Sequence, residues 1–284
     1  MTFRADPDWL EELTRLLDPW EQGDVFPCPQ AGFLNDPARP LTEESEGIRA
    51  SETWNGGFTW AAANAPHGVA IVSQTCDIIK SADRLPFVLA APLRQLDGNQ
   101  ARLAQQGRMP QFAPLPGASP LFVDLGAIFT LEKSILANQS QLSGCRTDAE
   151  RREFATAIRR FFDRFAFPDD FGPATANLRT RFTRQGGNDA EGRARDLVFE
   201  VRARCVEGDW TLPEVTVHFY FLVRSEDELE SLAEQDWRVR ADEWLGDCTP
   251  VGKLKSFYGE VVTLERLPTS DYLASDHVDI GVDS

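Results

Sequence analysis

The chain has 284 residues, 42% hydrophobic and 26% charged, with a formal charge of −16 from 45 acids and 29 bases. That length holds one large domain or two ordinary ones around a sizeable core, and the lack of any 18-residue apolar run predicts no membrane span. An overall anion disfavours nonspecific nucleic-acid binding, because phosphate contacts supply most of that affinity.

Five scattered cysteines without a CxxC pair, and three histidines, predict no disulfide framework, no metal site and no cofactor. The opening residues carry acids and no continuous apolar segment, so a cytoplasmic chain is expected. The charge is uneven. Arg151 to Arg204 holds 12 bases against 8 acids, and Ser225 to Ser284 holds 5 against 15. A basic middle and an acidic tail can pair with each other, meet different partners, or form solvated faces.

In chain order, Asp8 to Leu17 has helical spacing, with Asp6 or Asp8 as its cap. Gly23-Asp24-Val25-Phe26 reads as a short strand. Pro27 to Ala50 reads as a long surface excursion. Trp54 and Trp60 flank Gly56-Gly57, either as a flap over a site or as edge packing. Val69 to Val72 is a buried strand and leads into a polar knot, Ser73-Gln74-Thr75-Cys76-Asp77. Leu85 to Leu89 predicts a third strand, Gly98 to Arg108 a short helix, and Pro110 to Pro120 a loop. Leu121 to Phe129 predicts one or two strands, and Thr130 to Leu136 a closing short helix. Thr147 and Glu150 form a capping box for a helix running to Phe165, and Ala174 to Phe182 predicts another. Gln185 to Gly192 reads as a linker. Leu197 to Val206 and Glu214 to Val223 alternate as a strand pair. Asp227 to Leu245 predicts an acidic amphipathic helix that buries Leu229, Leu232, Ala233, Trp237 and Trp244. Tyr258 to Leu267 predicts a last strand, before an acidic tail docked through Tyr272, Leu273, Val278 and Ile280.

Three strands resemble those of the PemK/MazF family of SH3-like barrel toxins: Gly23-Asp24-Val25-Phe26, Gly68-Val-Ala-Ile-Val-Ser73 and Phe87-Val-Leu-Ala-Ala-Pro-Leu93. Leu121-Phe-Val-Asp-Leu and Ile128-Phe-Thr-Leu-Glu-Lys133 are similar to that barrel's last strand and closing helix. The resemblance covers residues 20 to 138. It implies cleavage of single-stranded RNA, with an arginine at the start of the second strand and a hydroxyl just after the third. The arginine would stabilise charge on the reacting phosphate. Here those places hold Pro66-His67 and Leu93-Arg94, so the family's two reacting groups are absent. Arg94 can return a cation and His67 can act as acid or base. The knot is not part of the family's pattern.

Each candidate residue has a structural alternative. Cys76 is a nucleophilic or redox thiol, or a small buried residue at a strand end. The neighbouring Asp77 charge opposes a reactive thiolate. Asp77 is a general base, or caps the following turn. Gln74 and Thr75 bond a nucleobase or a peptide, or satisfy backbone groups. Arg159, Arg160 and Arg164 form a phosphate-binding face, or pair the acidic C-terminal region.

The expected fold is α+β. Residues 1–145 form an SH3-like small β-barrel with a helical arm and a long loop. Residues 146–284 form a helical connector, a small α/β sandwich and an acidic tail. The expected function is a toxin–antitoxin or phage-defence type protein whose degenerate barrel binds a protein partner. The alternative is a metal-independent endoribonuclease acting on RNA through His67, Ser73, Thr75 and Arg94. A third expectation is an enzyme centred on Cys76.

Overall fold

The computed structural model describes residues 6–51, 53–163, 165–184, 189–230 and 237–278. Its elements run α1 (Pro7–Leu17), β1 (Val25–Phe26), β2 (Gln30–Asn35), α2 (Glu43–Arg49), β3 (Thr59–Asn64), β4 (Val69–Ile71), α3 (Thr75–Ile78), β5 (Phe87–Gln95), α4 (Gly98–Gln105), β6 (Phe112–Pro114), β7 (Leu121–Asp124) and β8 (Phe129–Glu132). They continue with α5 (Asp148–Phe162), α6 (Phe171–Thr183), α7 (Ala190–Leu197), β9 (Glu200–Cys205), β10 (Val215–Val223), α8 (Glu226–Glu230), α9 (Trp237–Leu245), β11 (Leu254–Thr263), α10 (Thr269–Leu273) and β12 (Asp276–His277). The fold is α+β. Two compact units divide it: Met1–Leu96 with Gln111–Ile158, and Asp97–Pro110 with Arg159–Ser284. The expected boundary at 145 lies just before α5, and the segment carrying α4 belongs to the second unit.

In the first unit, α1 begins where Asp6 accepts a hydrogen bond from the Asp8 amide at 3.0 Å, satisfying one of the orphan donors of the first turn. Leu13 and Leu17 on its inner face meet Phe26, Val69, Ile71, Val88 and Leu131 in the core. The sheet runs β1-β4-β5-β7-β6, with β8 also on β5, all antiparallel. Among the described residues no strand pair closes this sheet into a barrel. The nine-residue β5 is its spine. It pairs β8 through Phe87–Ala90, β4 through Ala90–Pro92 and β7 through Leu93–Gln95.

Several expectations change here. The third strand does not stop at Leu89 but runs on through Pro92. Residues 27–50 hold β2 and α2, because alternation buries Ala31 and the Thr42 hydroxyl caps the Ser45 amide. Strand β6 lies inside the expected 110–120 loop. Thr130 to Glu132 is strand, and a 3₁₀ turn takes over only at Lys133–Asn138.

In the second unit, β10 is buried along its length and pairs β9 antiparallel and β11 parallel, in the order β11-β10-β9-β12. One face of this sheet packs Phe219 and Phe221 on Phe171, Phe182 and Trp244, with the Phe182 and Phe221 rings stacked at 5.8 Å. The other face packs Tyr220 and Leu222 on Val262 and Leu267. The expected 185–192 linker differs: Asp189 caps α7, while 185–188 lie outside the described residues. Of the long acidic helix, α8 and α9 are seen, and Leu232 and Ala233 lie outside the described residues, as do Arg164 and Ile280. α5 ends at Phe162, short of the expected Phe165.

Arg108 organises this unit. Its buried guanidinium donates to the carbonyls of Phe182 (3.0 Å), Arg195 (2.6 Å) and Val198 (2.8 Å). These carbonyls end α6 and α7, where backbone acceptors lack partners within the helix and the helix dipole is negative. Burial lowers the arginine's pKa to about 10, still charged at neutral pH. Replacing Arg108 by Met leaves three buried carbonyls unpaired. The expected loss is about 2–4 kcal/mol, read as faster native-state amide exchange at Phe219 and Phe221. Unchanged exchange would show that this cation does not hold the helix ends.

Candidate functional site

The knot folds as one helical turn, α3, after buried β4. Its two hydroxyls bond other segments of the fold. The Ser73 hydroxyl accepts a hydrogen bond from the Leu89 amide at 2.8 Å, and the Thr75 hydroxyl accepts from the Gln22 amide at 3.1 Å. Asp77 does not cap the turn. Its carboxylate pairs with exposed Lys80 at 2.6 Å. Cys76 is exposed, contrary to the buried alternative, and its thiol donates to the Gln74 amide oxygen at 3.6 Å.

Beneath the turn lies Lys133, a residue that sequence reasoning did not single out. Its buried ammonium donates to the Asp77 carbonyl at 2.7 Å and the Lys80 carbonyl at 2.6 Å. These are the carbonyls that a short helix leaves unpaired at its C-terminus. Burial lowers the lysine's pKa, against the attraction of Asp77. Lys133 follows directly on the Thr130-Leu131-Glu132 strand, so the closing turn of the sheet delivers the cation that fixes the knot.

His67 and Arg94 lie at the other end of β4. The Leu93 amide donates to the Gly68 carbonyl at 3.0 Å, and the strand pairing ends there: the Gly68 amide turns back to the Ala65 carbonyl at 3.0 Å, so His67 sits in the turn before β4. Gly68 makes that end possible. It has φ +84°, and a Cβ there would lie 2.6 Å from the Phe26 carbonyl oxygen. His67 and Arg94 therefore lie near the same end of the β4–β5 pair, His67 just before Gly68 and Arg94 just after Leu93. Ser73 and Thr75 stand about 20 Å away along the strand. Arg94 is engaged, its Nε 3.3 Å from an Asp124 carboxylate that also accepts from Gln111 and the Gly126 amide.

Asp24, of the Gly23-Asp24 pair, is 3% exposed. Burial is the main cause that raises its pKa from 3.8 to about 6. A backbone hydrogen bond from Glu21 opposes, Glu21's charge adds, and Arg151 opposes. Three thiols are buried. Burial pushes Cys145 up to about 11 and Cys248 up to about 12, and it raises Cys205.

In the second unit the basic middle pairs with acids. Arg160 and Arg202 reach the buried Glu200 at 2.9 and 2.8 Å, and Arg204 reaches Asp271 at 3.2 Å. Burial pushes Glu200 up, but His277, Arg160 and Arg202 together hold it at about 2. His218 lies in β10, 3.4 Å from Glu260, with its pKa lowered by burial.

Among the described residues no group of His, Cys, Asp and Glu is placed to hold a metal ion, and no helix is long and apolar enough to cross a membrane. The chain matches no family model and no curated protein.

One surface stands out for its lack of charge. β2 and β3 form a separate two-stranded ribbon. Leu34 and Trp60 face each other across it, 61% and 73% exposed, and Phe58, just before β3 in the chain, is also exposed. Trp60 is therefore not buried by edge packing.

Two outcomes are expected. Asp24 binds its proton at about 6 when folded and at 3.8 when unfolded. Between these values the folded chain holds more protons, so stability rises as pH falls from about 6 towards 4. Asp24→Asn should flatten that rise in urea titrations and stabilise the protein by about 1–2 kcal/mol above pH 6. An unchanged pH profile would assign the slope elsewhere. Iodoacetamide at pH 8 should alkylate exposed Cys76 first, half-buried Cys28 next and the three buried thiols last. That order follows from exposure alone, so fast labelling of Cys76 is no sign of catalysis. Slow labelling of Cys76 would contradict its placement.

Proposed function

We propose that this chain is a cytoplasmic binding and regulatory protein of toxin–antitoxin or phage-defence type, and that its first unit is an opened relative of the SH3-like barrel of PemK/MazF proteins. On this reading a protein partner, not RNA, is its ligand, and α5 is the helical connector to a small α/β sandwich. One observation carries the reading. The hydroxyls of Ser73 and Thr75, the Asp77 carboxylate and the Arg94 guanidinium are each engaged by another group of the fold. The cation nearest the family's reacting phosphate is thus neutralised by Asp124 in the resting protein. The uncharged Leu34–Trp60 ribbon supports the same reading, because an exposed apolar patch on an acidic chain offers contact area to a protein.

The location of His67 and Arg94 near one end of the β4–β5 pair favours a second reading, a rewired endoribonuclease. There His67 would move the proton and Arg94, released from Asp124, would meet the phosphate. The test is incubation of purified protein with mixed-sequence single-stranded RNA, without added metal, beside a His67→Ala/Arg94→Ala variant and a Cys76→Ser variant. Intact RNA in all three lanes is expected. Cleavage that disappears in the double variant would replace the binding reading by the nuclease. Cleavage lost only in Cys76→Ser would move the chemistry to the thiol.

A further inference from the structure

The first unit holds a concavity beside Lys133, the residue beneath the knot. A cavity of about 570 Å³ opens between α1, the 82–86 loop and the 132–134 turn, within the range of sites that take a side chain or a small ligand. Leu10 and Leu13 of α1 and Pro86 give it apolar walls, and Trp9 adds an indole that is 37% exposed. Its acidic groups are Asp83 and Glu132. Each accepts a hydrogen bond from a nearby serine, Ser81 and Ser134 respectively, and neither has an ion-pair partner among the described residues. Among the described residues of the lining the one cation, Lys133, is turned away, with its ammonium buried on the Asp77 and Lys80 carbonyls. Arg84, next to Asp83 in the chain, is exposed and lies outside the lining. Asp6 and Asp8 at the start of α1 deepen the negative potential.

An indole, an apolar wall and two carboxylates without an ion pair among the described residues complement one chemical shape, a planar cation on an aliphatic stem. A guanidinium stacks on an indole and forks onto carboxylates, and it is more weakly hydrated than an ammonium. Its methylenes cover leucine and proline surface while the charge stays at the rim. We infer that this groove receives an arginine of a basic segment in the partner protein. The inference rests on the binding reading above and names the partner's chemistry.

The test uses the full chain, titrated by fluorescence anisotropy against a fluorescein-labelled peptide, acetyl-ALRALRA-amide, and against the same peptide with citrulline in place of arginine. The peptide should bind saturably. Affinity should fall about tenfold with citrulline and about tenfold in an Asp83→Asn/Glu132→Gln variant, the loss of roughly one charge-assisted contact. Trp9→Ala should weaken binding further. Because Trp9 also touches α1 packing, the two surface carboxylate substitutions carry the decision. A Glu214→Gln/Glu265→Gln variant removes the same charge from exposed positions of the second unit and should bind like the parent. Absent binding, equal affinity for citrulline, or equal losses in both double variants would overturn the inference. RNA cleavage by the parent chain would remove the binding reading itself. RNA left intact with no peptide binding would remove only the groove.

Discussion

Lys133 and Arg108 each carry a positive charge into a protein interior, where desolvation penalises it, and neither meets a carboxylate in an ion pair among the described residues. Both end on main-chain carbonyls at helix C-termini: Lys133 on the turn after β4, Arg108 on α6 and α7. The arrangement answers two problems at once. A helix end leaves carbonyls without donors, and a buried cation needs acceptors. Five such bonds, each assisted by charge, hold helix ends in both units, and the two from Lys133 hold the turn that carries Thr75, Cys76 and Asp77. In the first unit this decides the character of the knot. With Lys133 beneath it and Leu89 and Gln22 bonded to its hydroxyls, the turn is a fixed corner of the fold rather than a loose loop waiting for a substrate.

The long β5 sets the other half of the geometry. Because it serves three partners in succession, β5 leaves β4 only Ala90–Pro92 to pair with, and the chain enters and leaves this short strand at opposite ends. The polar residues that cluster in sequence from Ser73 to Asp77 gather at one end, and His67 with Arg94 at the other. A six-residue list of candidates thus becomes two places with different neighbours. The first is built into the core; the second faces outward, with Asp124 compensating its charge.

Much of this was legible in the chain. The Asp6 cap and the leucine spacing of α1, the buried Val69–Val72 run and the alternation of β9 and β10 follow periodicities that packing did not override. What was not legible has physical causes. Lys133 and Arg108 are residue types that nearly always lie on the surface, and only a tertiary structure shows the carbonyls that draw them inside. Pro92 reads as a strand breaker. The Leu93 amide points to β4, so the missing Pro92 donor faces the opposite edge, where the partner changes from β8 to β7 and no ladder bond is lost. The span from Pro27 to Ala50 is rich in turn formers, yet Ala31 is buried and Thr42 caps a helix. That His67 and Arg94 lie near one end of the β4–β5 pair depends on register between two strands, which no local pattern contains.

The path of the chain adds a constraint on its history and handling. Between β5 and β6 it leaves the first unit, supplies α4 and Arg108 to the second, and returns. Neither unit is therefore one continuous stretch. A fragment that starts anywhere after Arg108 lacks the guanidinium that closes α6 and α7, and a fragment that stops before Gln111 lacks β6, β7 and β8. Recombination that shuffles whole domains at a single junction would leave both units incomplete. The two halves can be inherited, lost or exchanged only together.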